Sequence, residues 1–246
     1  MNNTFFKKAF TVSALAVGML AGSANAGQLL VNGNFETGNV NGWTATSTQA
    51  TSFQSSLNDG HNSQVVNGGT SNGPVWYVRN QSTNYFGTAA TPISGYSVFN
   101  GFDGDPGTFS LKQGFALNGS VSNAVLSFAF AAQSGYSQTA RHFDVNILAA
   151  DGSTVLLNVY DYVLPYSQTG WNVNNMSFNL TSAFNTLGNG NYVLAFQEII
   201  PQSYTGPALF ALDNVSLNVE VPEPSSIALL GLGLLGFGVA RRRKQG

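Results

Sequence analysis

Short runs in which apolar and polar residues alternate are the feature of this chain that most constrains its fold. Three of them are FSLKQGFAL at 109–117, VLSFAF at 125–130 and HFDVNIL at 142–148. Because successive side chains of a β-strand point to opposite faces, each run places its large apolar residues on one face of a strand. No long helical period appears between residues 27 and 221. The pattern therefore predicts an all-β fold.

Turn residues separate the predicted strands. Asp151 and Gly152 follow the run at 142–148 and predict a hairpin to a strand over 154–160. A Gly-Asn-Gly-Asn turn at 188–191 precedes a further strand at 192–196. Many short strands joined by Gly, Asn and Ser turns are typical of two packed sheets, so we expect an antiparallel β-sandwich.

The first 26 residues have the pattern of a secretory signal peptide. Two lysines, Lys7 and Lys8, precede an apolar stretch at 9–21, and Ala24 and Ala26 form an A-x-A cleavage site. Signal peptidase is therefore expected to cut after Ala26. An N-terminal core helix fits less well, because such a helix would carry polar residues at helical spacing.

The last 25 residues combine a Pro-Glu-Pro, an apolar run and a basic end. Pro222, Glu223 and Pro224 precede the apolar run at 225–240, and the basic residues are Arg241, Arg242, Arg243 and Lys244. As a helix at ~1.5 Å per residue, the run spans about 24 Å, against a hydrocarbon core of roughly 30 Å. Snorkelling side chains and local thinning of the bilayer close that gap, and a basic end stays on the cytoplasmic side. We therefore predict a short membrane helix.

The same segment contains GLGLLG at 231–236, the spacing of a dinucleotide-binding loop. That site needs a preceding strand, a following helix and a return strand. Only ten residues follow Gly236, and four of them are basic. The dinucleotide interpretation is therefore rejected.

The order of these C-terminal parts resembles the PEP-CTERM sorting signal of bacterial surface proteins. The resemblance implies that an exosortase-type membrane enzyme recognises Pro222, Glu223 and Pro224 and removes the tail. The protein would then be anchored transiently in the inner membrane before it reaches the cell surface or extracellular matrix. The expected organisation is a signal peptide at 1–26, a β-sandwich body at 27–221 and a sorting segment at 222–246.

The body between the two terminal segments is acidic and lacks cysteine. It contains three basic residues, Arg79, Lys112 and Arg141, and ten acidic ones, which gives a net charge of −7. Such a surface offers no electrostatic attraction for nucleic acid. With no cysteine in the chain, the means left to hold the body together in an oxidising compartment are core burial, strand pairing and metal binding.

Two short motifs resemble the edges of a known jelly-roll family. LVNGNFETG at 30–38, followed by Gly42 and Trp43, resembles the first strand of galactose-binding-like jelly rolls, the fold of many carbohydrate-binding modules. ALDNVSL at 211–217 resembles their last strand. The resemblance implies a jelly-roll sandwich in which these two segments lie at the two ends of one body.

The predicted last strand contains an unusual acidic residue. Simple alternation puts Asp213 on the same face as the apolar residues Leu209, Ala211, Val215, Leu217 and Val219. A buried carboxylate is costly unless it is paired or bound to a cation. In the jelly-roll family the acidic residues of the two motifs commonly bind a structural calcium, which implies Glu36 and Asp213 here. The alternatives are a β-bulge that turns Asp213 outward, or backbone N–H groups that satisfy it.

Other candidate chemistry is weaker. Asp103 and Asp105 fit an ordinary turn better than a calcium loop. His61 and His142 are far apart and have no partner at zinc-ligand spacing, and no G-x-S-x-G motif is present. No catalytic residue is assigned, and we expect the protein not to be an enzyme.

Two functions of different classes remain. The first is a non-catalytic surface or matrix protein with a structural or adhesive role among exopolysaccharides. The second is a carbohydrate-binding module with a defined glycan ligand. A hydrolase acting on glycans is the weaker third alternative. Saturable preference for one polysaccharide would favour the module.

The terminal segments give a direct prediction. Surface-fraction protein should begin at Gly27 and end near residue 223, and Glu223→Ala should leave the chain in the inner membrane with its basic end attached. Intact-mass spectrometry of the surface and membrane fractions measures both ends. A surface protein that begins at Met1 or ends at Gly246 would contradict the prediction for that end.

Overall fold

A computed structural model of the chain describes residues 25–48, 76–79, 93, 95–102, 106–134, 141–165, 168–201 and 208–222. All of them belong to one compact unit, which covers residues 24–222. The elements in chain order are β1 (Asn25–Gln28), β2 (Thr44–Ser47), β3 (Trp76–Arg79), β4 (Ser97–Phe102), β5 (Gly107–Leu117), β6 (Asn123–Ser134), β7 (Arg141–Ala149), β8 (Val155–Leu164), β9 (Gln168–Asn179), α1 (Thr181–Leu187), β10 (Gly190–Ile200) and β11 (Ala208–Val221).

The strands form two antiparallel sheets. Sheet A has the order β3-β4-β11-β6-β9, with β1 added alongside β11, and sheet B has the order β2-β5-β10-β7-β8. From β4 onward the chain repeatedly crosses between the sheets, so that β4, β11, β6 and β9 oppose β5, β10, β7 and β8. This is the eight-stranded arrangement of a jelly roll. The prediction of an all-β antiparallel sandwich is confirmed.

Aromatic side chains fill the space between the two sheets. Phe143 of β7 lies with its ring centroid 5.0 Å from that of Phe130 in β6 and 5.3 Å from that of Phe210 in β11. Phe128 of β6 makes an edge contact with Phe196 of β10 at 5.2 Å. The predicted inward faces of β5, β6 and β7 are all buried, as the alternation required. Each such aromatic side chain buries a large apolar area, so this layer is the main source of stability.

The hairpin between β7 and β8 forms where the sequence predicted it. Gly152 has a φ of 69°, and the Ala149 N–H donates to the carbonyl of Thr154 at 2.8 Å. The Asp151 carboxylate accepts hydrogen bonds from the backbone N–H groups of Ser153 and Thr154. The Thr154 hydroxyl also donates to this carboxylate. The hydroxyl bond contributes most, and together the three bonds hold the pKa of Asp151 well below its usual range. The helix α1 was not predicted, because its seven residues are too few to show a helical period.

A β-bulge changes the predicted faces of β11. The register with β6 shifts between Asp213 and Ser216, and Asn214 has a φ of 54°. Before the bulge, Phe210 and Leu212 belong to the inter-sheet core, whereas Ala211 belongs to a separate cluster with Phe99, Ala129 and Ala131. After the bulge, the residues that belong to the inter-sheet core are Val215, Leu217 and Val219. The prediction that Asp213 shares their face was therefore wrong, because the extra residue reverses the alternation.

Candidate functional site

The segment 31–42 is a loop between β1 and β2, not the first strand that the family resemblance implied. Phe35, which is fully buried, packs on Trp43 with ring centroids 5.8 Å apart and anchors the loop to the core. The Asn32 side chain donates to the carbonyl of Asn39 at 2.8 Å and accepts from the Thr37 hydroxyl at 2.8 Å. Side-chain bonds to nearby backbone replace a strand ladder here.

This loop carries Glu36 to the start of β4. The Tyr96 N–H donates to Glu36 Oε1 at 3.0 Å. Gly95 has a φ of 81°, and a Cβ atom at that position would overlap with the Glu36 carboxylate. The backbone conformation therefore favours glycine at residue 95, and a larger residue there would also have to displace the Glu36 carboxylate.

Asp213 lies beside this loop and is only 1% exposed. Its carboxylate accepts a hydrogen bond from the Asn214 N–H at 2.6 Å and a longer one from the Ser97 hydroxyl at 3.5 Å. Burial raises the pKa of Asp213 to about 7, and the negative charge of Glu36 adds to the increase, while the two hydrogen bonds oppose it. The structure thus brings together the two acidic residues that the sequence nominated.

A cation fits the donors present at this place. Glu36 and Asp213 repel each other, and no positively charged side chain among the described residues contributes to the pKa of Asp213. Carboxylate and carbonyl oxygens are the ligands that calcium prefers. The Val215 N–H bonds to the Gly33 carbonyl at 2.8 Å, which ties the loop to the bulge of β11. The two acidic motifs are therefore held together by the fold.

A second polar region lies on the outer face of sheet B. Asn158 donates to Asn146 Oδ1 at 2.9 Å, Asn146 donates to Gln197 Oε1 at 2.9 Å, and Gln197 donates to the Ser110 hydroxyl at 3.2 Å. We call these four side chains the amide ladder, because their hydrogen bonds cross β8, β7, β10 and β5 in that order. Lys112, on the same face, donates to the Gly152 carbonyl at 2.9 Å. Beside it, Gly114 and Val193 line an open hollow with a volume of about 370 Å³.

Three titratable side chains meet at the edge of this face. His142 Nδ1 lies 2.8 Å from Asp161 Oδ1, and Asp144 lies directly opposite Asp161 in the β7–β8 pairing. Burial raises the pKa of Asp144 to about 6; repulsion from Asp161 adds to this, and His142 opposes it. His142 has no partner at zinc-ligand spacing in the sequence, because its partner Asp161 comes from the neighbouring strand. His61 lies outside the described residues, as do Asp103 and Asp105.

A buried acid with a raised pKa lies inside the sandwich. Glu198 of β10 is fully buried, and burial raises its pKa well above the usual range, although the charge of Arg141 opposes the increase. Arg141 is also fully buried. A raised pKa is one requirement of a general acid, but here it follows from burial in the core rather than from an exposed cleft. It gives no support to a catalytic role.

The processing residues lie at the ends of the described chain. Ala26 is in β1, where its Cα partner is Glu220, and Pro222 directly follows β11. Ala24, Glu223, Pro224, the apolar run at 225–240 and the basic residues at 241–244 lie outside the described residues. Within the part of the chain that the structure describes, no helix is long and apolar enough to cross a membrane.

Comparison with known proteins supports the sorting segment directly. Residues 220–244 match the family described as the PEP-CTERM protein-sorting motif. This motif implies export and processing at the membrane. No curated protein matches the sequence.

Solved structures with a similar shape include carbohydrate-binding proteins. TmCBM61 in complex with β-1,4-galactotriose is 15% identical, with a TM-score of 0.40; the match covers 77% of this chain and 97% of that one. The adhesin domain of Lys-gingipain from Porphyromonas gingivalis W83 is 15% identical, with a TM-score of 0.42, over 81% and 99% of the two chains. For the enzymatically active domain of bacteriophage CBA120 tailspike protein 4 the identity is 14% and the TM-score 0.44. That match covers 78% of this chain but only 21% of the tailspike domain.

The raised pKa of Asp213 predicts a pH dependence of stability. Between about pH 4 and pH 7 the metal-free folded state holds a proton on Asp213 that the unfolded chain has released, so the free energy of unfolding falls as pH rises. In the presence of a chelator, the free energy of unfolding of Asp213→Asn should not show this decrease. The variant should therefore become more stable relative to the wild-type body as pH rises. Urea unfolding of residues 27–221 at several pH values measures the difference.

Asp151→Asn is the matched control. The pKa of Asp151 is lowered in the folded state. Its contribution to the free energy of unfolding is therefore complete above pH 4 and is lost only in stronger acid. Its stability difference from the unchanged body should stay constant between pH 4.5 and 7.5. If Asp213→Asn behaved in the same way, the carboxyl of Asp213 would not titrate in this range.

Proposed function

We propose that the protein is an exported, non-catalytic component of the cell envelope or extracellular matrix that adheres to exopolysaccharide. The observation that carries the proposal is the amide ladder on the outer face of sheet B. It offers a row of donors and acceptors across four strands, held in place by its own hydrogen bonds. Sugar hydroxyl groups both donate and accept, so they match a surface of this kind.

The face suits a polar and extended ligand. Asn158 and Asp161 are exposed at its β8 edge, whereas Asn146 and Ser110 form a buried floor. The strand positions on the outer face of sheet B carry no Phe, Tyr or Trp that could stack on a sugar ring. Binding would then depend on hydrogen bonds and many repeated contacts, as in adhesion to a polymer, and each contact would be weak.

A carbohydrate-binding module with one defined glycan is the second candidate. The hollow lined by Gly114 and Val193 favours it, because even an open depression gives a ligand more contact than a flat surface does. The two candidates differ in specificity. Adhesion predicts similar binding to several acidic or neutral polymers, and a module predicts one saturable preference.

Binding to a panel of soluble polysaccharides tests the proposal. Affinity electrophoresis should show retardation of residues 27–221 that weakens severalfold in Gln197→Ala and Asn158→Ala, because each change interrupts the amide ladder. Asn175→Ala on β9 is the matched control, since Asn175 is exposed on the other sheet. The outer face of sheet B would be excluded if all three variants bound equally. Turnover of any glycan in the panel would exclude the non-catalytic role.

The sorting segment supports a specific route by which the protein would reach the cell envelope or extracellular matrix. In this route signal peptidase removes residues 1–26, and the apolar run at 225–240 holds the protein in the inner membrane while the basic residues at 241–244 stay in the cytoplasm. An exosortase-type enzyme then recognises Pro222, Glu223 and Pro224 and releases the body. The match at 220–244 supports the processing step.

Calcium at Glu36 and Asp213 would serve this function as a structural cofactor. The ion would neutralise two carboxylates that otherwise repel each other, one of them buried. It would also join the loop at 31–42 to β11. Calcium supplies only charge and coordination here, so removing it should weaken the body without abolishing its fold.

Thermal unfolding with and without calcium tests the cofactor. A ligand that binds only the native state at a hundredfold excess over its Kd stabilises it by about 2.7 kcal/mol, so chelator should lower the Tm of residues 27–221 by several degrees. Glu36→Gln and Asp213→Asn should each remove most of this difference, whereas Asp151→Asn should keep it. Equal Tm values in calcium and chelator would refute the site.

A further inference from the structure

A histidine and two aspartates form a compact group at the β8 edge of sheet B. Each of His142, Asp144 and Asp161 offers a ligand atom, and these atoms all lie within 4.8 Å of one another. His142 is 34% exposed and Asp161 is 47% exposed, so the group is open to solvent on one side. It belongs to sheet B, whereas Asp213 lies in β11 of sheet A and Glu36 lies in the loop at 31–42.

Two irregularities in the strand pairing create this group. Leu148 pairs with Val155 near the hairpin, and a regular ladder from there would put Val159 opposite Asp144. The register shifts twice, between Ile147 and Leu148 and between Val145 and Asn146, and each shift adds one residue on the β8 side. Asp161 is brought opposite Asp144 as a result. Because two added residues preserve the side-chain parity, Asp161 also reaches the outer face.

The donor set contains a buried oxygen atom without a partner. Asp144 Oδ1 is buried and has no hydrogen-bond partner among the described residues. The carboxylates of Asp144 and Asp161 lie on directly opposed residues, where like charges destabilise a sheet. His142 Nδ1 lies 2.8 Å from Asp161 Oδ1, whereas the buried oxygen of Asp144 has no such contact with any described residue. A divalent cation would satisfy the buried oxygen and both carboxylates at once.

We propose that His142, Asp144 and Asp161 bind one divalent transition-metal ion of the zinc class. Imidazole nitrogen suits zinc and cobalt, whereas calcium prefers a set made only of oxygen ligands. Ligand distances of about 2.0–2.2 Å require small side-chain rotations that draw the three donors closer together. The exposed side of the group leaves further coordination positions for water or for an oxygen of a bound molecule. The site does not depend on glycan binding by the amide ladder.

Metal titration of the mature exported protein tests the site. Calorimetry with Zn²⁺ should show one ion per chain, and Co²⁺ should give visible absorption bands on binding. His142→Gln and Asp161→Asn should each weaken Zn²⁺ binding by at least about tenfold, because losing a ligand costs no less than losing a residue that orients one. Both residues are partly exposed, so circular dichroism should show unchanged strand content in both variants.

Glu36→Gln is the matched control, because it removes a carboxylate from the other acidic site and should leave Zn²⁺ affinity unchanged. His142→Gln should likewise leave any effect of Ca²⁺ on the Tm unchanged. The proposal is overturned if no saturable Zn²⁺ binding is seen, or if binding persists at the same affinity in both His142→Gln and Asp161→Asn. Loss of binding in Glu36→Gln would also overturn it, since the ion would then occupy the other site.

Discussion

The contact of phenylalanine rings across the two sheets is the interaction on which the rest of the structure depends. Phe143 stacks on Phe130 and on Phe210, both of which belong to sheet A. The chain contains no cysteine, so no disulfide contributes to holding the sheets together. The loop at 31–42 is tied to the same layer, because Trp43 contacts both Phe35 and Phe196. The Glu36–Asp213 region and the amide ladder on sheet B are therefore both positioned by apolar packing between the sheets.

Much of the sandwich follows from the sequence, because alternation and turn residues are local properties. The inward faces of β5, β6 and β7 and the Asp151–Gly152 hairpin were predicted correctly. The register was not predictable in the same way. A bulge in β11 reverses the face of Asp213, and two shifts in β8 place Asp161 beside His142. A single added residue leaves almost no local signal, since it is determined by pairing with another strand.

The candidate sites also differ in how far the sequence predicts them. The pairing of Glu36 with Asp213 was implied by family resemblance, and the structure brings the two residues together, although Glu36 lies in a loop. The amide ladder was missed, because its four members lie on four strands. In the structure His142 and Asp144 lie on one face of β7, which is where period-2 spacing puts them. Counting back from the hairpin could have suggested a partner on β8, but without the two bulges it would have named Val159.

The pairing of β1 with β11 places the two ends of the body next to each other. Asn25 is opposite Val221, and Ala26 is opposite Glu220. Glu220 also pairs with Asn123 of β6, but the register with β6 ends there, so Val221 has Asn25 as its only strand partner among the described residues. A cut after Ala26 would remove that partner and leave the backbone before Pro222 as an open, extended edge. A cut at the N-terminal site would therefore change the strand pairing immediately before the Pro-Glu-Pro of the segment that matches the sorting motif.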